Sequence, residues 1–185
     1  MLSSSNFIFH NKLSKHFCKN TGLKKINALL LLLLVTGAGF MQSCTSVDLF
    51  EKTEVIPGHR WKSSFKPSFT FNISDTTSAY RLYLVIRHTD KYHFNNIYIN
   101  LSVKQPGSDS TETVRFDCKL GNDEAGWLGS GMDDIIEQRV PLTPKEIPVY
   151  FRKKGSYTYS LEQIMREDPL ENVLNAGIRL EKITE

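Results

Sequence analysis

Cysteine is scarce in this chain, with three in 185 residues, at positions 18, 44 and 118. Only Cys118 falls after the first 44 residues, so the part that folds has no intramolecular disulfide and no CxxC metal or redox pair. Apolar runs long enough to cross a bilayer are also missing. The one long run, Ile26 to Phe40, falls short of the roughly 20 residues a spanning helix needs. Acidic residues are absent before Cys44, and helix-forming periodicity is rare after it. No Asp-x-Asp-x-Asp-Gly run marks an EF-hand, and no G-x-S-x-G elbow marks a serine hydrolase. Gly129-Ser130-Gly131 has no following lysine, so it is not a phosphate loop. Internal repeats are not apparent.

What the chain does have is a charged entry, Lys24-Lys25, six consecutive leucines from Leu29 to Leu34, and a small-residue exit through Thr36, Gly37, Ala38 and Gly39. These are the three parts of a secretory signal. The segment closes on Met41-Gln42-Ser43-Cys44 and resembles the lipobox of bacterial lipoproteins, loosely, since Leu and a small residue are commoner at the places of Met41 and Gln42. That resemblance implies cleavage before Cys44 and acylation of its thiol and new amino group. More than one acyl chain on a residue gives stable anchoring where one would be marginal. Residues 1–43 therefore read as the export region, 44–66 as the lipidated N-terminus and a tether, and 67–185 as the folded domain.

Removing the export region changes the charge. The whole chain carries 23 basic and 20 acidic residues, a formal net of +3. Five lysines precede Cys44, so 18 basic residues face 20 acidic ones after it, a net of −2. Such a domain has no basic excess with which to hold nucleic acid.

Past Pro67 the dominant period is two. Phe69-Phe71-Ile73, Tyr80-Leu82-Leu84-Ile86, Ile97-Ile99-Leu101-Val103 and Val114-Phe116-Cys118 alternate with polar neighbours. Pro148 to Phe151, Tyr157 to Tyr159 and Gly177 to Ile183 add three more β-rich stretches. The expected fold is mostly β: an antiparallel β-sandwich or jelly-roll-like domain of about seven to eight strands. Ser160 to Glu167 has Leu161, Ile164 and Met165 at helical spacing behind a capping-box serine, which predicts one short helix ending before Asp168-Pro169. Cys118 shares parity with Val114 and Phe116 and should point inward.

Few residues suggest chemistry. The glycine-rich stretch Leu120 to Asp134 holds Trp127, Asp133 and Asp134, and reads as a connection whose tryptophan tucks against the sandwich. A calcium site there is the weaker reading, so no metal or other cofactor is expected. His59, His88 and His93 read as surface loop histidines rather than a zinc set. No catalytic residue stands out. Tyr98, flanked by Asn96 and Asn100, belongs to a strip of aromatics on the opposite parity from the core, a weak candidate for a ligand or partner surface together with Trp127, Asp133 and Asp134.

Beyond Cys44 and the segment Val47 to Lys52, the C-terminal third carries the most specific pattern. It reads Gly155-Ser156-Tyr157-Thr158-Tyr159-Ser160-Leu161-Glu162-Gln163-Ile164-Met165-Arg166, then Asp168-Pro169-Leu170, then the glycine-centred Asn175 to Glu181. With the Gly126 to Gly131 stretch, this resembles the gliding motility lipoprotein GldH family of the Bacteroidetes. The resemblance implies a non-enzymatic accessory or scaffold of the gliding machinery, held in the outer membrane through acylated Cys44 and meeting other envelope proteins. The single acid in Thr45-Ser46-Val47-Asp48 favours the periplasmic face, because surface-exported lipoproteins of this group often carry an acidic run there. The alternative is a lipid-anchored carbohydrate- or peptide-binding sandwich module.

Overall fold

Strict alternation of apolar and polar residues forces a chain to bury one face, and an antiparallel sheet is the structure that does so. The computed structural model describes residues 48–144 and 146–184, and Cys44 with the export region lies outside them. In chain order the strands are β1 (Leu49–Val55), β2 (Arg60–Trp61), β3 (Ser68–Ile73), β4 (Ala79–Thr89), β5 (Asn96–Lys104), β6 (Thr111–Lys119), β7 (Gly121–Asn122), β8 (Gly126–Trp127), β9 (Ser130–Met132), β10 (Ile135–Pro141), β11 (Val149–Tyr150), β12 (Gly155–Gln163), β13 (Leu170–Glu171) and β14 (Val173–Lys182).

The strands form two principal antiparallel sheets. One runs β1-β14-β4-β10-β9, with β11 also on β4; the other runs β3-β12-β5-β6. Their inner faces share one core, which includes Leu84, Ile86 and Ile178 from the first sheet and Ile97, Ile99 and Leu161 from the second. Aromatic rings bridge them where β4 begins. Phe50 on β1 lies 5.1 Å from Phe71 on β3, Phe71 lies 5.8 Å from Phe151, and Phe151 meets Tyr80 at 5.3 Å. The domain is thus the expected antiparallel sandwich, and Cys118 is buried in its core.

The short helix predicted over Ser160–Glu167 does not form. Residues through Gln163 continue β12, with Tyr157, Tyr159, Leu161 and Gln163 buried in alternation. Ser160, the predicted cap, instead sits mid-strand, its hydroxyl 3.0 Å from that of Ser68 on β3. A period of two set by burial overrides a local capping pattern. The only helical turn among the described residues is a 3-10 turn at Pro57–His59.

Two strands fall inside the stretch read as tether. β1 pairs with β14 from Leu49 opposite Glu181 to Val55 opposite Asn175, and β2 pairs with β13. The register explains the glycine at the centre of β14. A Cβ on Gly177 would stand 2.1 Å from the Lys52 carbonyl oxygen, so β1 can lie this close only against glycine. The glycine-rich stretch Leu120–Asp134 is likewise not one loop, since it contains the β7-β8 hairpin and β9.

The outer faces of the sheets differ. On the first, Glu51 of β1 accepts from Arg139 of β10 (Oε1–Nη2 2.7 Å, Oε2–Nε 3.0 Å) and from Arg179 of β14 (2.8 Å). Those guanidiniums hold its carboxyl down at about 2. On the second, neutral hydroxyls meet across strands, Thr70 with Thr158 at 2.9 Å and Ser102 with Thr113 at 3.0 Å.

Candidate functional site

His88, expected on the surface, is fully buried near the end of β4. Its strand parity puts it on the inner face, below the end of the sandwich where β4 finishes. The ring is satisfied on both sides. Nδ1 donates to the Thr89 carbonyl at 2.8 Å, and Nε2 accepts from Gln138 Nε2 at 3.1 Å. The same Gln138 amide donates to the Leu120 carbonyl at 2.8 Å. Burial pushes the His88 pKa below its ordinary value, and the donors around it suit the neutral ring.

Trp127 closes this end. Its ring stands edge-on to His88 at 4.5 Å, and Tyr92 packs 5.2 Å from His88 with its hydroxyl donating to the Asn96 carbonyl at 3.0 Å. The tryptophan therefore tucks against the sandwich and fastens the β7-β8 hairpin to β4. Around the plug the surface mixes exposed apolar side chains with an excess of acids over the exposed Lys91 and Lys119. Leu128 is 52% exposed and Met132 80% exposed. Asp90, Asp123, Glu124, Asp133 and Asp134 are all exposed and make no side-chain ion pair among the described residues. Asp133 sits at φ 56 in the β9-β10 turn, and the Asp134 carbonyl accepts from the Asp90 amide at 2.8 Å. Among the described residues no group of three or more His, Cys, Asp or Glu side chains is placed to hold a metal ion.

Of the residues picked from sequence, the fold brings Trp127, Asp133 and Asp134 to one end. Tyr98 is elsewhere, on the outward parity of β5, with the Arg115 guanidinium 4.9 Å above its ring. Among the other aromatics Trp61, Tyr92 and Tyr157 are buried, and Tyr150 is 59% exposed.

Sequence reasoning also missed a cleft of about 480 Å³ at the margin of the first sheet. The edge of β4 is shared by β10 and β11, and the chain from Leu142 to Pro148 leaves it between them. Arg81, Leu82, Phe116, Leu142 and Pro144 line the opening. Arg81 Nε is buried there without a hydrogen-bond partner. Only Pro141, Pro144 and Pro148 hinted at it, since proline cannot continue a ladder.

Fold and surface together define an antiparallel β-sandwich with one end plugged by Trp127 and His88. Comparison with known proteins makes the class specific: the chain belongs to the GldH lipoprotein family, whose profile matches residues 48–180. It is 30% identical over 148 residues to a gliding motility lipoprotein GldH homolog of Christiangramia forsetii, covering 76% of this chain and 87% of that one. It is 25% identical over 175 residues to the gliding motility lipoprotein GldH of Flavobacterium johnsoniae, covering 89% and 97%.

Proposed function

We propose that this chain is a non-enzymatic, lipid-anchored accessory or scaffold of the gliding machinery. Residues 1–43 export it, acylated Cys44 holds it on the periplasmic face of the outer membrane, and the Trp127 end docks on other envelope proteins. The observation that carries this reading is the spacing of anchor and fold. The family match opens at residue 48 and β1 at Leu49, so only Thr45 to Asp48 separate the lipid site from the sandwich. Five residue steps of at most about 3.6 Å give a leash of about 18 Å. A domain held that close presents a fixed end to the periplasm, which suits an assembly part. Exposed Leu128 and Met132 beside Trp127 supply the apolar centre of a docking surface, and the acids its polar rim. A sugar-binding platform is disfavoured by the burial of Trp61, Tyr92 and Tyr157.

The test combines metabolic labelling with a clickable fatty acid, membrane fractionation and in-cell crosslinking, on wild type and Cys44→Ala. Label, outer-membrane sedimentation and crosslinks to gliding-machinery subunits are expected for wild type and lost in the variant. A wild-type protein that takes no label and sediments with soluble proteins would overturn the proposal.

A further inference from the structure

The end of the sandwich opposite Trp127 gathers features that the assembly role leaves unused. Leu49 of β1 stands opposite Glu181, Lys182 opposite Tyr80, and Tyr150 of β11 opposite Ala79. These pairings place the start of β1 and all of β11 at one end of the first sheet. Three inter-strand steps of about 4.8 Å separate β1 from β11, about 14 Å. The connection that follows β11 runs Phe151-Arg152-Lys153-Lys154 and enters β12 at Gly155, opposite Ile73 at the close of β3. It therefore crosses from one sheet to the other at this same end.

The connection presents cations and apolar side chains together. Arg152, Lys153 and Lys154 are exposed, and none makes a side-chain ion pair or hydrogen bond among the described residues. Next to them Tyr150 is 59% exposed and Ile147 62%, and Leu49 across the sheet is 54%. Their presentation is fixed from below. Phe151 is buried against Phe71, Tyr80 and Tyr157, and the Tyr157 hydroxyl donates to the Lys153 carbonyl at 3.0 Å. Gly155 takes φ 126, a conformation that side chains resist, where a Cβ would meet Pro106 at 2.9 Å.

We propose that this end is a membrane-contact face that lies on anionic lipid headgroups, with Arg152, Lys153 and Lys154 over the phosphates and Tyr150 and Ile147 at the interface. The occupant is named by charge and by chain length. A run of basic residues with exposed tyrosine and aliphatic neighbours is the composition that anionic interfaces attract. The chain leaves the described structure at Asp48, on this same end, with four residues to go to Cys44. The inference rests on the anchored reading, because acylated Cys44 is what brings the face to the bilayer. It adds an orientation: Trp127 with Asp90, Asp123, Glu124, Asp133 and Asp134 points away from the lipid, and Asp109 and Glu146 are the acids that remain at the basic end.

The test uses the full-length protein purified from its own membranes and reconstituted into vesicles. One set contains phosphatidylglycerol in phosphatidylethanolamine, the other phosphatidylcholine alone. An environment-sensitive fluorophore goes on Tyr150→Cys, or at the far end on Met132→Cys. Burial raises the Cys118 thiol to about 12, so that residue stays unlabelled. In anionic vesicles the Tyr150 label should shift to the blue and be quenched by spin-labelled lipid, while the Met132 label stays in water. Combined Arg152→Glu, Lys153→Glu and Lys154→Glu should abolish the shift. So should 1 M salt, where the Debye length falls to about 3 Å. Mass spectrometry of the Cys44 peptide separates the two readings. An acylated protein with a water-exposed Tyr150 label, or with a quenched Met132 label, overturns the membrane face alone. A Cys44 without acyl chains overturns both.

Discussion

The two ends of the sandwich handle charge differently. At the Leu49 end, acid is neutralised locally. Asp75 accepts from the Thr77 amide and hydroxyl, from the Ser78 hydroxyl and from Lys182, contacts that press its carboxyl far below the usual range. The unpaired charge left there is the basic turn Arg152–Lys154, with Asp109 and Glu146 as exposed acids on the neighbouring turns. At the Trp127 end, Asp90, Asp123, Glu124, Asp133 and Asp134 stand exposed around an aromatic plug and outnumber the exposed Lys91 and Lys119 beside them. One end thus carries its cationic cluster beside exposed apolar groups, the other an excess of anions beside exposed apolar groups. A single domain with complementary ends has a built-in direction. The lesson is that polarity of this kind lives in the turns, while the strands between them form the spacer.

Breaking the Leu49 end at its core should cost most. Phe151 is buried among three other rings, so Phe151→Ala removes a large apolar side chain and leaves a cavity. A loss of about 3–5 kcal/mol is expected, read from the urea midpoint. Because the basic turn hangs from Phe151, the same variant should raise amide exchange in Arg152–Lys154 more than in Asp133–Asp134.

The equivalent blow at the other end is milder. Trp127 is only half-buried, and Trp127→Ala should cost about 2 kcal/mol. It should also change the response to acid. Burial lowers the His88 pKa from 6.5, so the unfolded chain takes up a proton that the folded one refuses. Stability from this source is full above about pH 6.5 and falls as the pH drops through that value toward the lowered one. Admitting water beside His88 relieves the shift, so the slope of stability against pH between 6.5 and 5 should be flatter in Trp127→Ala than in wild type.

The sandwich was legible in the sequence because burial imposes parity, and parity survives in Ile97-Ile99-Leu101 as plainly as in the sheet. The inward Cys118 followed from the same rule. Parity also contradicts the predicted helix, since Tyr157, Tyr159 and Leu161 continue a period of two straight through the capping pattern at Ser160. β1 was hidden for the opposite reason. It is an edge strand, and an exposed Leu49 and Val55 with charged neighbours give no clean alternation. His88 shares parity with Ile86 and Leu84, a signal that outweighs the usual surface place of histidine. Trp127, Asp133 and Asp134 were picked as a group because they are close in sequence. Their meeting with Asp90 and His88 is long-range, and no local pattern encodes it. The Arg81 cleft depends on where β10 leaves β4, which is a property of register alone.

The spacer between the ends can be weakened without touching either. Glu51 is linked to both Arg139 and Arg179, and its pKa falls from 4.5 to about 2 because those guanidiniums hold the charged form. Its folded value is depressed, so the stabilisation is present above about pH 4.5 and is lost as the pH falls through 2. With partial solvent screening, Glu51→Gln should cost about 1 kcal/mol at pH 7. The difference from wild type should shrink toward zero near pH 2. Chemical denaturation at several pH values checks it, and a cost that persists at pH 2 would mean the carboxylate packs rather than pairs.

The smallest effect on stability is the sharpest test of the comparison. Asp133→Asn with Asp134→Asn replaces exposed, unpaired carboxylates by amides of the same shape, so stability should change by less than about 0.5 kcal/mol. It should even rise slightly, since Asp90 loses like-charged neighbours. If the acids at this end are the rim of a docking surface, their loss should lower the association rate with the partner and weaken its salt dependence, with a smaller effect on dissociation. Crosslinking yield in cells, compared with the triple reversal of Arg152, Lys153 and Lys154, then separates the ends. The Asn pair should reduce protein crosslinks and leave membrane contact intact, and the basic-turn reversal should do the converse. Equal effects of both variants on both readouts would mean that the ends act as one surface, and the direction argued from their charges would be lost.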